Sequence, residues 1–201
     1  MLYQTVLFDF DGVLCRDRFY EKTLLPDYQN VYDWIQANVF DNDEIMPKWM
    51  RNELKSDDVN RLIAKNTGIV REVLNDLYMK SVRMMDLDRR VADLAKSLKL
   101  SGRKIGIVTN NMDVFSEITV SNHRLDKLFD VIVNSADYGR LKKDNNGELF
   151  DITFATLNES IKNSLMIDDS PSVIELYEKR GGKGFLYKDF EELESFLRAN
   201  T

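Results

Sequence analysis

A chain of 201 residues with 43% hydrophobic content is long enough for one substantial core carrying a smaller inserted domain, which excludes disorder as its default state. Nine Gly and three Pro leave little room for a linker or a low-complexity tail. The formal net charge is -6 with Lys and Arg scattered, and no run approaches the ~18 apolar residues of a membrane helix, so nucleic acid and membrane are excluded as main partners.

The stretch MLYQTVLFDFDGVL has an apolar run with no basic leader, interrupted by Asp9 and Asp11, and reads as a strand rather than a signal segment. Val6 to Phe10 is the expected strand. Cys15, the single cysteine, excludes an internal disulfide framework, fits a reducing compartment and reads as a small buried hydrophobe; the expected location is cytoplasmic. More than ninety residues of helix-only pattern then follow before the next strand, far more than one crossover needs, which implies an inserted helical domain. Helices are expected over Tyr28 to Val39 and Glu44 to Leu54. Ser56 with Asp57 and Asp58 marks another helix start, and Gly68 a stop. The clearest helix places Val70, Val73, Leu74, Leu77, Tyr78 and Val82 on one face. Asp88 to Leu100 returns the chain to the sheet, with Gly102 as a stop. Further strands are expected at Lys104 to Thr109, Val131 to Asn134, Leu165 to Asp168 and Gly184 to Tyr187. Such apolar runs alternating with helices predict a parallel sheet buried on both faces.

In open parallel sheets ligands bind outside the carboxyl ends of the strands, so the polar strand endings are where chemistry is sought. Asp9 and Asp11 end the first strand two residues apart, and Gly12 lets the chain turn both toward a ligand. Two close buried carboxylates need a cation or a shared proton, and Mg²⁺ is the natural hard partner. Thr109-Asn110-Asn111 ends the second strand with a hydroxyl and amides suited to phosphate oxygens, although Thr109 alone is an ordinary helix cap. Asp168-Asp169-Ser170-Pro171 follows the fourth, where one acid can ligate metal while the other orients it. Lys142 and Lys143 lie after the third strand and offer a fixed positive charge.

Their joint order, Asp-x-Asp-Gly, then Thr-Asn, then Lys, then Asp-Asp, resembles the haloacid dehalogenase superfamily of phosphohydrolases. The resemblance spans the chain and implies an α/β fold: a Rossmann-like parallel sheet core, HAD-like, formed by 1–15 and 86–201, with an inserted α-helical cap domain over 16–85. It implies a Mg²⁺-dependent phosphatase acting on a small phosphorylated substrate. Asp9 is then the nucleophile and Asp11 the acid and base. Thr109, Asn110, Lys142 and Gly12 contact phosphate, while Asp9, the Asp11 carbonyl and Asp169 hold Mg²⁺ with Asp168 in support. This reading requires side-chain oxygens at positions 9, 11 and 169 to converge around one ion. The third motif departs from the usual Lys-Pro-Asp-Pro, reading Lys142-Lys143-Asp144-Asn145; Lys142 is preferred because Gly139 precedes it by three residues. The rivals are a phosphomutase and a catalytically silent phosphate-binding or interaction module. The expected assembly is a monomer or weak homodimer.

Other residues draw blander readings. His123 reads as a solvated surface group. Phe19, Tyr20, Tyr28, Tyr32, Trp34 and Trp49 read mostly as a small core. Arg16 and Arg18 either reach a second anionic group on a substrate or are surface charges beside the insert. Gly181-Gly182-Lys183-Gly184 reads as a turn rather than a phosphate loop.

Overall fold

Val6, Leu7 and Phe8 cannot all face one side of a strand, yet none is exposed, so the sheet that holds them is covered on both faces. In the computed structural model, which describes residues 3–25 and 27–200, these residues belong to β1 (Thr5–Phe8). The chain then runs through α1 (Glu21–Leu24), α2 (Gln29–Ile35), α3 (Ile45–Met50), α4 (Ser56–Thr67), α5 (Arg71–Arg83) and α6 (Arg89–Leu100) before β2 (Lys104–Thr109). Short helices α7 (Val120–Asn122) and α8 (Leu125–Leu128) lead to β3 (Val131–Asn134). After α9 (Ser135–Tyr138) and α10 (Glu148–Leu157) come β4 (Ser164–Asp168), α11 (Pro171–Lys179), β5 (Lys183–Leu186) and α12 (Phe190–Ala199).

The five strands form one parallel sheet in the order β3-β2-β1-β4-β5. Alternation divides its side chains between two cores. Val6, Phe8, Ile105, Ile107, Leu165 and Ile167 pack on the side of α6 and α12. Leu7, Val108, Val133 and Met166 pack with Phe150 and Phe154 of α10 and Tyr177 of α11. Because the chain leaves β1 in one direction and later returns to the other side of it as β4, a crevice opens at the carboxyl ends of the central strands.

β2 and β3 have the bounds expected from the sequence. β1 ends earlier, at Phe8, because the Phe10 carbonyl accepts from Leu14 N and Cys15 N and the ladder gives way to a turn. α4 stops at Gly68, whose φ of 76° is the left-handed conformation that glycine adopts without strain. The expected helix from Tyr28 is α-helical only to Ile35 and continues as a π-helical turn, Gln36–Phe40. On α5 the buried stripe is narrower than the periodicity implied: Leu74, Tyr78 and Val82 are buried, whereas Val70 and Val73 are 61% and 46% exposed. The helix packs against α1, α4 and the π-helical turn Phe115–Thr119, and these neighbours leave the flanking valines in solvent.

Trp49, Tyr20 and Tyr78 are fully buried and, with Phe19 and Phe40, form the aromatic centre of the insert; ring centroids lie 5.0 Å apart for Tyr20 and Tyr78 and 5.9 Å for Trp49 and Tyr78. Tyr28 stands apart, 42% exposed. Cys15 is buried, and burial pushes its thiol up to about 12, so it is an inert thiol at neutral pH. His123 is half-buried rather than solvated, and burial holds it below the ordinary imidazole value. No helix among the described residues is long and apolar enough to cross a membrane.

Candidate active site

Strand order decides which residues meet. Phe8 is in register with Ile107 of β2 and Ile167 of β4, so Asp9, Thr109 and Asp168 emerge together at one end of the sheet. Asp9 is buried, with Oδ1 accepting from Phe10 N at 2.7 Å and Oδ2 2.6 Å from Lys142 Nζ. The same ammonium lies 2.7 Å from Oδ2 of the fully buried Asp168, whose Oδ1 accepts from Ser170 N at 2.8 Å. Lys142 is itself only 2% exposed. Lys143, by contrast, is exposed and donates to Ser172 Oγ, so of the two lysines Lys142 is the one that reaches the acids.

One expectation needs correction. Among the described residues, the carboxylate oxygens that come within 4.8 Å of one another belong to Asp9, Asp168 and Asp169; the Asp11 side chain is not part of that group. By Asp11 the chain has already left the strand, and Asn111 Nδ2 holds its Oδ2 at 2.8 Å. Asn110, expected on phosphate, lines the cleft, and its Oδ1 accepts Lys142 N at 2.7 Å and so anchors the loop that carries the lysine. Thr109 is fully buried and its hydroxyl has no hydrogen-bond partner, although it adjoins Asp9 and favours the charged form of that carboxyl. Gly12 has φ 78°, and a Cβ there would lie 2.1 Å from Asp169 Oδ2; the glycine is required both for the turn and for the approach of that carboxylate.

The cluster carries four carboxylates for one ammonium. Burial pushes Asp9 up to about 7; Lys142 works against this rise and the Asp168 charge adds to it. Burial and the Asp9 charge push Asp11 up to about 8. Asp169 is also raised, by burial and then by Asp168. Burial alone would lower Lys142, but Asp9 and Asp168 hold it above its ordinary value. Protons or a divalent cation must offset the excess negative charge. An all-oxygen donor set suits a hard ion such as Mg²⁺.

Above this cluster a cleft of about 750 Å³ is walled on the insert side by Phe19, Phe40, Met46 and Met50. Polar contacts tie the insert to the site's loops. Arg51 donates from Nε and Nη2 to Asp144 at 2.7 and 2.9 Å, and Asp144 Oδ2 also accepts Leu141 N beside Lys142. Ser135 Oγ accepts Asn111 N and donates to the Met50 carbonyl at 2.7 Å. Ser56 N donates to Asp113 Oδ2 at 3.0 Å. The sequence carried no signal for Arg51; Asn111 and Asp144 lay within the motifs Thr109-Asn110-Asn111 and Lys142-Lys143-Asp144-Asn145, with no role of their own in holding Asp11 or the lysine loop.

The sequence model of the haloacid dehalogenase-like hydrolases matches residues 3–175. The chain belongs to this family. No curated protein matches it by sequence. Among solved structures, this HAD-like hydrolase is similar to a predicted HAD-like family hydrolase of Porphyromonas gingivalis, at 14% identity over 100% of this chain and 98% of the other, with a TM-score of 0.77. A HAD family enzyme of Bacteroides thetaiotaomicron, solved in complex with magnesium and inorganic phosphate, aligns at 17% identity over 95% and 98%, with a TM-score of 0.71. An L-2-haloacid dehalogenase of Xanthobacter autotrophicus aligns at 17% identity over 99% and 84%, with a TM-score of 0.68. At these identities the likeness shows the HAD-like fold, an α/β Rossmann-like core, and leaves the choice among hydrolytic chemistries to the site.

Proposed function

We propose that this HAD-like hydrolase is a Mg²⁺-dependent phosphatase acting on a small phosphorylated metabolite through an aspartyl phosphate on Asp9. The observation that carries the reading is the pairing of Asp9, held against Lys142 at 2.6 Å, with a second acid on the lining of the same cleft, Asp11, whose Oδ2 is fixed by Asn111 Nδ2 at 2.8 Å. That second acid is placed to give a proton to a leaving oxygen and to take one from water. Displacement of a halide needs no such donor, because halide leaves as a stable anion. An alkoxide does need one, so Asp11 favours phosphate esters over haloacids as substrates.

In the first step an Asp9 oxygen forms a bond to phosphorus while the bond from phosphorus to the leaving oxygen breaks, and that oxygen takes the Asp11 proton. In the second, Asp11 takes a proton from water, the water oxygen bonds to phosphorus, and Asp9 departs as carboxylate with release of phosphate. Lys142 favours the charged form of Asp9 against its burial and offsets the charge of the phosphoryl group. The unpartnered Thr109 hydroxyl is a donor ready for a phosphoryl oxygen. The excess carboxylate charge fits a divalent ion held by Asp9, Asp169 and the Asp11 carbonyl, with Asp168 supporting through Lys142. When bound, Mg²⁺ supplies charge neutralisation and orientation of the phosphate. The helical insert serves as a cap that excludes bulk water from the cleft.

The test is phosphate release from sugar phosphates, nucleotides and an aryl phosphate with Mg²⁺ or EDTA, alongside halide release from 2-chloro acids. Wild type should release phosphate only with Mg²⁺, and Asp9→Asn should lose at least about 10³-fold. Activity that survives Asp9→Asn, or halide release without phosphate release, overturns the reading.

A further inference from the structure

The cleft holds far more than a phosphate. Its volume of about 750 Å³ lies in the range that accommodates a small organic ligand, and the carboxylates and Lys142 occupy only its floor. Its outer lining carries Arg16, Arg18, Lys143 and Lys188 against two acids, Asp17 and Asp41. Asp17 is already engaged: its Oδ2 lies 2.5 Å from Lys22 Nζ and accepts Asp86 N at 2.7 Å. In a chain with a net charge of -6, the mouth of the cleft is therefore a local concentration of cations.

Two of these cations stand out by how they are held. Arg16 Nη2 donates to the Lys188 carbonyl at 2.8 Å, and its guanidinium lies 5.5 Å from the centre of the Tyr187 ring. That fixes the plane of the fork while leaving most of its five donors uncommitted. The Arg18 side chain makes no ion pair or hydrogen bond with the described residues; its backbone alone is bonded, the N–H donating to Glu21 and the carbonyl accepting from Glu21 N. Both sit on a pinned segment. On one side Leu14 O accepts Asp88 N at 2.8 Å; on the other the buried Tyr20 adopts a left-handed φ of 66° and donates its N–H to Ser81 Oγ at 2.6 Å. A bulky residue kept in that conformation is a sign that the surrounding packing dictates the path of the chain. The same cleft is lined by the apolar side chains of Phe19, Phe40, Met46 and Met50.

We infer that the substrate is a phosphomonoester whose leaving group carries a second anionic group, a carboxylate or another phosphate, received by Arg16 and Arg18 across a short apolar link. The inference rests on the phosphatase reading of the same site and names the substrate class it takes. Phosphate sits at the floor with Lys142 and Thr109, the link lies along the apolar wall, and the second anion meets the two guanidinium groups. Arginine suits this role because its planar fork pairs with either oxyanion in two-point fashion.

Calorimetric titration of the Mg²⁺-loaded protein with non-hydrolysable phosphonates tests it. Alkylphosphonates are compared with ω-carboxyalkylphosphonates and α,ω-bisphosphonates of the same chain length. One of the two diacid series should bind at least tenfold tighter than the simple alkylphosphonates, and which one does so identifies the second anion. In Arg16→Gln and Arg18→Gln that ratio should fall to about twofold or less. Equal binding of monoacid and diacid overturns the inference, as does absence of binding by any diacid. A ratio that persists in both variants overturns it too, because the arginines then only attract anions in general. A diacid preference with no phosphate release from any ester sinks the phosphatase reading and leaves the second-anion subsite standing. Phosphate release without a diacid preference does the reverse.

Discussion

Lys142 and Trp49 are both large, fully buried side chains, yet opposite forces keep them inside. Trp49 lies among Phe19, Phe40 and Tyr78, with its Nε1 3.2 Å from Ser56 Oγ, so its burial is favourable through removed area and satisfied polarity. Lys142 is buried against its own hydration, and only the carboxylates of Asp9 and Asp168, at 2.6 and 2.7 Å, make this tolerable. The aromatic centre of the insert is therefore a source of stability. The charged floor of the cleft is a place where stability is given up to keep reactive groups poised.

The largest expected effect is at the floor. Lys142→Met leaves two buried carboxylates unanswered and should cost about 3–5 kcal/mol at pH 8 in urea melts with EDTA. Activity should fall by about 10²–10³. Because Asp9 can take up a proton, the stability loss should shrink at pH 5. An equal loss at both pH values would remove the electrostatic account. Trp49→Ala should cost about 3–5 kcal/mol through a cavity, and by the same amount at pH 5 and pH 8, since no charge is involved. A strong pH dependence in that variant would erase the distinction between the two regions.

Wild-type protein sharpens it further. In the folded state Asp9 titrates near 7 and Asp11 near 8, against 3.8 when unfolded, so between these limits the folded protein holds more protons than the unfolded chain. Its stability in EDTA should fall as pH rises from about 4 to about 8, by up to about 1.4 kcal/mol per pH unit for each proton. Mg²⁺ should reverse most of that fall. A urea midpoint that stays flat or climbs over this window would contradict the burial of these acids.

Smaller effects belong to the contacts between the regions. Arg51→Ala removes a two-point ion pair with Asp144, each side chain about a quarter exposed, and should cost about 1 kcal/mol. Any kinetic consequence should appear in kcat, because Asp144 also holds Leu141 N beside the lysine. Val70→Ser, at a position 61% exposed, should change stability by less than about 0.5 kcal/mol, although periodicity places it on the buried face.

That last case shows where sequence patterns stop. Three-and-four spacing gathers Val70, Val73, Leu74, Leu77, Tyr78 and Val82 within one arc, but the width of the arc that is covered depends on which neighbours pack against it, and those neighbours leave Val70 and Val73 exposed. In the same way Asp11 follows Asp9 by two residues, and its side chain was expected to converge with those of Asp9 and Asp169 around one ion. The turn closed on the Phe10 carbonyl sends that side chain to Asn111 instead.

Local chemistry was enough for what is local: runs of apolar residues for the strands β2 and β3, Gly68 for the end of α4, and the Asp-Gly, Thr-Asn, Lys and Asp-Asp endings for the place to look. Those signals depend on the chain's own conformational preferences and on period, which any segment carries by itself. The tertiary structure decided which of two adjacent lysines is swallowed between Asp9 and Asp168, that Asn110 serves the lysine loop, and that Arg51 crosses 93 positions in the chain to reach Asp144. Each of these depends on the order β3-β2-β1-β4-β5, which sets distant strand ends side by side, and contacts between such ends leave no periodic trace in the sequence.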